Sequence, residues 1–150
     1  MAVLSWGKPK LEIVELVDGE IPTTPTWIEL DTPVENSTKL TPEKGTRREA
    51  KEEGGGTIDI KTDKSKYVLE CELFAKKGED KPIVDSDGVI TKNYAIRLSP
   101  EDATLTGYLI EKASVSIEDT WDSENGGKWK YMFEALKPTT GNLVKPFTAS

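Results

Sequence analysis

From Thr38 to Gly56 the chain reads TKLTPEKGTRREAKEEGGG, and almost none of it can be buried. Leu40 and Ala50 are its only apolar residues before the triple glycine. As a helix, residues 42–53 would be polar all round, with no stripe to dock on a core. As an extended ribbon, both faces would be wet. Ordering such a segment costs backbone entropy and returns no burial to the chain that carries it. The stretches on either side alternate like β-strands. The segment 38–56 therefore reads as an arm of a β-rich domain, with contacts completed by other copies of the chain. Assembly rather than catalysis is the first expectation.

Strand signals recur through the rest. KLEIVELV (10–17) sets Leu11 and Ile13 on one face, and prolines at Pro22, Pro25 and Pro33 surround a short strand, TWIEL (26–30). TIDIKT (57–62) alternates, with Ile58 and Ile60 on one side and Asp59 and Lys61 on the other. KYVLECELFA follows the turn-like Asp63–Ser65, with Tyr67, Leu69, Cys71 and Leu73 opposite Glu70 and Glu72. The two strands predict an antiparallel hairpin over 57–74 with one apolar and one charged face. Lys76–Pro82 is a loop and Ser86-Asp87-Gly88 a turn, followed by the strand NYAIRL (93–98). Ser99-Pro100-Glu101-Asp102 has the form of a short helix start, with Ser99 as N-cap and Gly107 as stop. GYLIEKASVSI (107–117) and KWKYMFEAL (128–136) form a strand pair whose turn is signalled by Asn125-Gly126, and LVKPFTAS is an extended tail. Roughly eight strands and one short helix predict a mainly β fold, an antiparallel barrel or sandwich with a long polar loop or arm. With no internal repeat or linker, residues 1–150 read as one domain.

The chemistry is constrained by what the chain lacks. There is no histidine, which removes Ser–His–Asp and Cys–His catalysis and His-ligated metals. The lone cysteine, Cys71, lies mid-strand and reads as a small buried residue rather than a nucleophile. Twenty-seven acidic residues against 20 basic give a net charge of −7, so a standing grip on nucleic-acid phosphates is not expected. No apolar run approaches the roughly 20 residues of a membrane span. The N-terminus MAVLSWGKPKLE shows no secretory signal, so cytoplasmic synthesis is expected.

Other local patterns have ordinary readings. Asp85-Ser86-Asp87-Gly88 resembles part of a calcium loop, but its twelfth position is Ile96, so a turn is the better reading. Asp119, Asp122 and Glu124 around Trp121 could describe a two-carboxylate hydrolase or a sugar platform, though acidic Gly-rich hairpin ends are usually solvated turns. Trp129 alternates with Tyr131 and Phe133 as core strands do, and core or interface is the expectation for Trp27. Trp6 and Trp121 stand in less regular contexts and are candidate interface anchors. Gly54-Gly55-Gly56 lacks the Lys-Ser/Thr of a phosphate loop and reads as a sharp bend. Between Glu43 and Glu53 the acids Glu43, Glu49, Glu52 and Glu53 balance the bases Lys44, Arg47, Arg48 and Lys51. Balanced charge suits a solvated face, and it also suits a register-setting contact between subunits through Arg47, Arg48, Glu49, Lys51, Glu52 and Glu53.

The order of these features resembles that of the tail tube (major tail) proteins of phages and prophages, in the form found with Bacteroides-like hosts. The carriers are the glutamate-rich stretch running into Gly-Gly, the DGV turn, the strand ending in SPED, the Gly-initiated strand 107–117 and the aromatic strand ending in ALKP. The resemblance spans about Asn36 to Val144. It implies a barrel or sandwich with a flanking helix, as in the tubes of contractile injection systems, no enzymatic activity and no cofactor. It implies hexameric rings, formed as neighbouring subunits join their sheets, stacked into a tube in the virion tail. Its partners would be further copies, tape-measure and tail-terminator proteins, and DNA as transient cargo. On that basis Asp59, Lys61, Glu70 and Glu72 would line the bore as a net acidic wall, with Ile58, Ile60, Leu69, Cys71 and Leu73 packed away from it. A slip of one residue would reverse both sets. The alternative from another class is a carbohydrate-binding β-sandwich stacking sugars on Trp121 or Trp6.

Overall fold

The alternation along residues 66–74 and 126–135 places Leu69, Cys71, Leu73, Tyr131, Phe133 and Ala135 on one side of two neighbouring strands, where all six are buried. The computed structural model describes Leu4, residues 6–102 and residues 104–148. Its strands are β1 (Lys10–Glu15), β2 (Ile28–Glu29), β3 (Lys39–Glu43), β4 (Arg47–Lys51), β5 (Thr57–Thr62), β6 (Lys66–Phe74), β7 (Val89–Ser99), β8 (Gly107–Asp122), β9 (Gly126–Ala135) and β10 (Lys145–Phe147). All pairings are antiparallel, in the order β2-β1-β7-β8-β9-β6-β3. Strand β10 pairs with residues 107–109 of β8, beyond the stretch that β9 covers. Among the described residues, strands β4 and β5 pair only with each other.

One core cluster joins Leu11 and Ile13 of β1 to Leu69, Cys71 and Leu73 of β6, with Ile96, Ile110, Val115, Ile117, Tyr131 and Phe133 between. The expected mainly β class therefore holds, in a sandwich-like arrangement. The sheet is not closed into a barrel. Its ends are tied instead by the segment after β2, where the Leu30 N–H donates to the Leu11 carbonyl at 2.8 Å. A few residues on, the Val34 N–H donates to the Glu72 carbonyl at 2.7 Å. Complete burial of a Leu, Ile or Phe side chain contributes about 1.5–3 kcal/mol, so this cluster dominates stability. On the outer side, Arg97 forms a two-pronged pair with Glu12 at 3.0 and 3.1 Å and lies under the rings of Trp27 and Phe147.

Two sequence expectations are corrected. The short helix after Pro100 does not form among the described residues, and Ala103 lies outside them. The Asp102 carboxylate instead accepts the N–H and hydroxyl of Thr104 at 3.0 and 2.6 Å, and the Leu105 N–H closes a turn on the Asp102 carbonyl at 3.0 Å. The chain has no room for a helix, because Tyr108 must already pair with Leu98. Ser99, expected as N-cap, ends β7 with its hydroxyl buried and without a hydrogen-bond partner among the described residues.

The second correction concerns the 57–74 hairpin. Asp63–Ser65 does not reverse the chain, and none of its residues takes the positive φ that tight hairpin turns require. Reversal occurs at Gly54 and Gly55, with φ of +92° and +91°. Strand β5 consequently returns along β4, and β6 along β3. Ile58 and Ile60, expected in the core, are 67% and 47% exposed.

Candidate assembly interface

The polar segment is an extended hairpin. Pairing from Lys39↔Glu70 to Glu43↔Lys66 resumes with the same offset at Arg47↔Thr62 and runs to Ala50↔Asp59. Between them the Asp63 N–H donates to the Thr46 carbonyl at 2.9 Å, so the ribbon stays joined where formal pairing lapses. Beyond that junction every residue of β4 and β5 is exposed. One side of the ribbon carries Glu49 between Arg47 and Lys51, at 2.7 and 3.5 Å, with Ile60 directly opposite Glu49. The register then shifts, with Lys51 pairing Thr57, so Ile58 is the extra residue of a bulge beside Ile60. Arg48 reaches Asp63 at 3.2 Å, and Glu52 and Glu53 stand at the tip. Exposed pairs of this kind contribute at most about 1 kcal/mol each. A lone two-stranded ribbon is marginal in water, so nothing within one chain accounts for its length.

The four residues expected to line a bore are divided by this arrangement. Asp59 and Lys61 lie on the arm, whereas Glu70 and Glu72 lie on the half-exposed outer face of β6, opposite Leu69, Cys71 and Leu73. Glu70 stands 3.4 Å from Lys130 and Glu72 3.6 Å from Lys128, both on β9. Residues opposite one another in an antiparallel ladder share a face. Across β3, β6, β9 and β8 that face carries Lys39, Glu43, Lys66, Glu70, Glu72, Lys128, Lys130, Glu134, Glu118 and Asp122. Six carboxylates thus meet four lysines, leaving it acidic by two charges.

At the other end of β3 lies an open groove of about 800 Å³ with mostly apolar walls, including Trp6, Pro33, Val34, Leu40, Leu98 and Tyr108. Trp6 is 77% exposed at its mouth, and Thr38, also in the wall, has a buried hydroxyl without a hydrogen-bond partner among the described residues. Trp121, 74% exposed, stands far along the β8–β9 hairpin, opposite Gly127.

The acidic connector is engaged structurally. The Asp122 carboxylate accepts the N–H groups of Asn125 and Glu124 at 2.6 and 3.0 Å, and these bonds, chiefly that from Asn125, hold its pKa below the ordinary value. Asp119 and Asp85 both accept hydrogen bonds from Lys81, at 2.7 and 2.8 Å, and hold its ammonium above the usual lysine range. Asp87 and Gly88 form the expected turn, both with positive φ, and the Gly88 N–H donates to Asp85. Sequence reasoning missed the exposure of Ile58 and Ile60 and the groove. The usable signal was Asp63-Lys64-Ser65, which has no glycine or asparagine to supply a tight hairpin turn.

Comparison with protein-family models and with curated proteins finds no match for this chain.

Proposed function

We propose that this protein is a non-enzymatic structural subunit, the tail tube protein of a phage or prophage, assembling into hexameric rings that stack as a hollow tube in the virion tail. The observation that carries this reading is the arm: a paired ribbon with every residue exposed and two isoleucines facing solvent. The ordered motif resemblance described above supports it. So does the engagement of Asp119 and Asp122 in a salt bridge and a turn, which leaves them no evident catalytic task. In the tube, the face bearing Glu70 and Glu72 would turn to the bore. Its small acidic excess, with few uncompensated cations, would let DNA pass without sticking. Tape-measure and terminator proteins would set the length. Sedimentation and electron microscopy across concentration and salt test the reading: rings or tubes are expected, and a monomer under every condition overturns it.

A carbohydrate-binding sandwich is the second reading, favoured by the exposure of Trp6 beside a groove and of Trp121. Saturable tryptophan fluorescence shifts on titration with glycans would support it over the tube.

A further inference from the structure

We infer that the bulged outer end of the arm, with its exposed Ile58 and Ile60, seats in the groove between the N-terminal segment and the β7–β8 corner of a second copy of the same chain. The inference rests on the subunit reading above and names the surfaces through which copies meet.

The two surfaces each lack what the other offers. Ile58 and Ile60 are β-branched residues on a largely charged ribbon, and both lie outside the core cluster. The groove presents Leu40, Leu98, Pro33 and Tyr108 to solvent, with the unpartnered Thr38 hydroxyl in the same wall. A strand entering the groove would bring backbone N–H and carbonyl groups as well as two isoleucines. Thr38 could bond either.

The occupant cannot be the chain's own arm. Leu40 lies in the groove wall, and Glu49, opposite Ile60, follows nine positions later on the same ribbon. At about 3.3 Å per residue, the apolar pair stands roughly 30 Å from its own groove. Folding back would require opening both the β3–β6 ladder and the Thr46–Asp63 bond. A neighbouring copy can supply the arm with no such change.

Charge also fits a second copy. The arm side offers both signs, Arg47 and Lys51 around Glu49. Lys8 and Glu35 at the groove likewise offer both signs, and neither side chain has an ion-pair partner among the described residues. Mixed charges on both surfaces penalise wrong registers more than they add affinity. Arm and groove are different patches, so the contact is head-to-tail. Repeated, such a contact closes a ring or extends a filament.

The test uses full-length chains in which one variant, Ile60→Cys, carries an affinity tag and the other, Tyr108→Cys, does not. Cys71 is fully buried and does not compete for oxidation. Mixing the two under mild oxidation should yield a disulfide-linked pair. The yield should be several-fold above that of Ile60→Cys mixed with Ile28→Cys, an exposed position on edge strand β2. Separately, the double variant Ile58→Asp, Ile60→Asp should keep wild-type circular dichroism and melting, since both sites are solvent-facing, yet lose assembly. Rings or tubes that form with no preference for Tyr108, or that form normally from the double variant, would overturn the docking while leaving the subunit reading intact. That outcome would also assign the groove to another occupant. Absence of any assembly by the wild-type chain would overturn both.

Discussion

A β-carbon on Gly45 would stand 2.3 Å from the carbonyl oxygen of Asp63, at the place where the ribbon leaves the sheet and becomes the arm. The two backbones approach there as only glycine allows. Gly45→Ala should force the strands apart and cost about 1–3 kcal/mol, as adding a carbon to a packed contact does. Hydrogen exchange at the Asp63 amide should accelerate well beyond that in β6. Unchanged exchange would mean that the junction yields without strain.

Tyr131 holds down the loop after β6. Its buried hydroxyl donates to the Ile83 carbonyl at 2.8 Å and accepts the Ile83 N–H at 3.4 Å. Tyr131→Phe keeps the ring and strands both groups of Ile83, which is itself 2% exposed. A loss of about 1–3 kcal/mol is expected, the range for buried groups left unsatisfied. Urea unfolding measures it, with an unchanged m-value if the fold is kept.

Acid should act through Asp85. Hydrogen bonds, first from Lys81 and then from the Gly88 amide, hold its carboxyl below the ordinary 3.8 in the folded chain. Its stabilising contribution is therefore complete above the unfolded value and is lost as pH falls below 3.8 through the depressed folded value. Lys81→Met removes the larger cause, so the variant should lose stability at neutral pH and show a flatter decline as pH falls below 3.8. Parallel acid limbs for both proteins in thermal melts would refute this.

Cys71 supplies a reporter of global opening. Burial alone pushes its thiol up to about 12, and its side chain is fully enclosed in the core, on β6 opposite Tyr131 of β9. Labelling by a thiol reagent at pH 8 should be negligible in the folded chain and should track unfolding as denaturant is added. Fast labelling without denaturant would show that β6 opens locally.

The sheet was legible wherever residue alternation and burial agree. In β6 from Tyr67 to Leu73, β8 from Ala113 to Ile117 and β9 from Trp129 to Ala135 every second residue is apolar, and those residues form the core or pack against it. Asn125-Gly126 likewise marked a real hairpin, with Gly126 at φ +78°. The failures came where local chemistry permits two outcomes. Ile58 and Ile60 alternate as core residues do, and only the choice of pairing partner decides that they face solvent. Ser99-Pro100 carries good helix-start chemistry, yet the pairing of Leu98 with Tyr108 requires an immediate return. The groove was invisible because its walls come from segments far apart in the chain, brought together by the staple from Leu30 to Val34.

Because the ribbon keeps one pairing offset from Lys39↔Glu70 to Ala50↔Asp59, and shifts only at the bulge beside its tip, the arm behaves as a graduated ruler rather than a flexible tether. Deleting one residue from Lys44–Thr46 alone would shift every partner of β4 and turn Ile60's neighbours to the opposite face. Matched changes of two residues on both strands would preserve the faces and move the tip by about 6.6 Å, two strand rises. The reach of this chain toward its neighbours is thus adjustable only in discrete steps, which gives the spacing of any lattice it builds a natural unit of change.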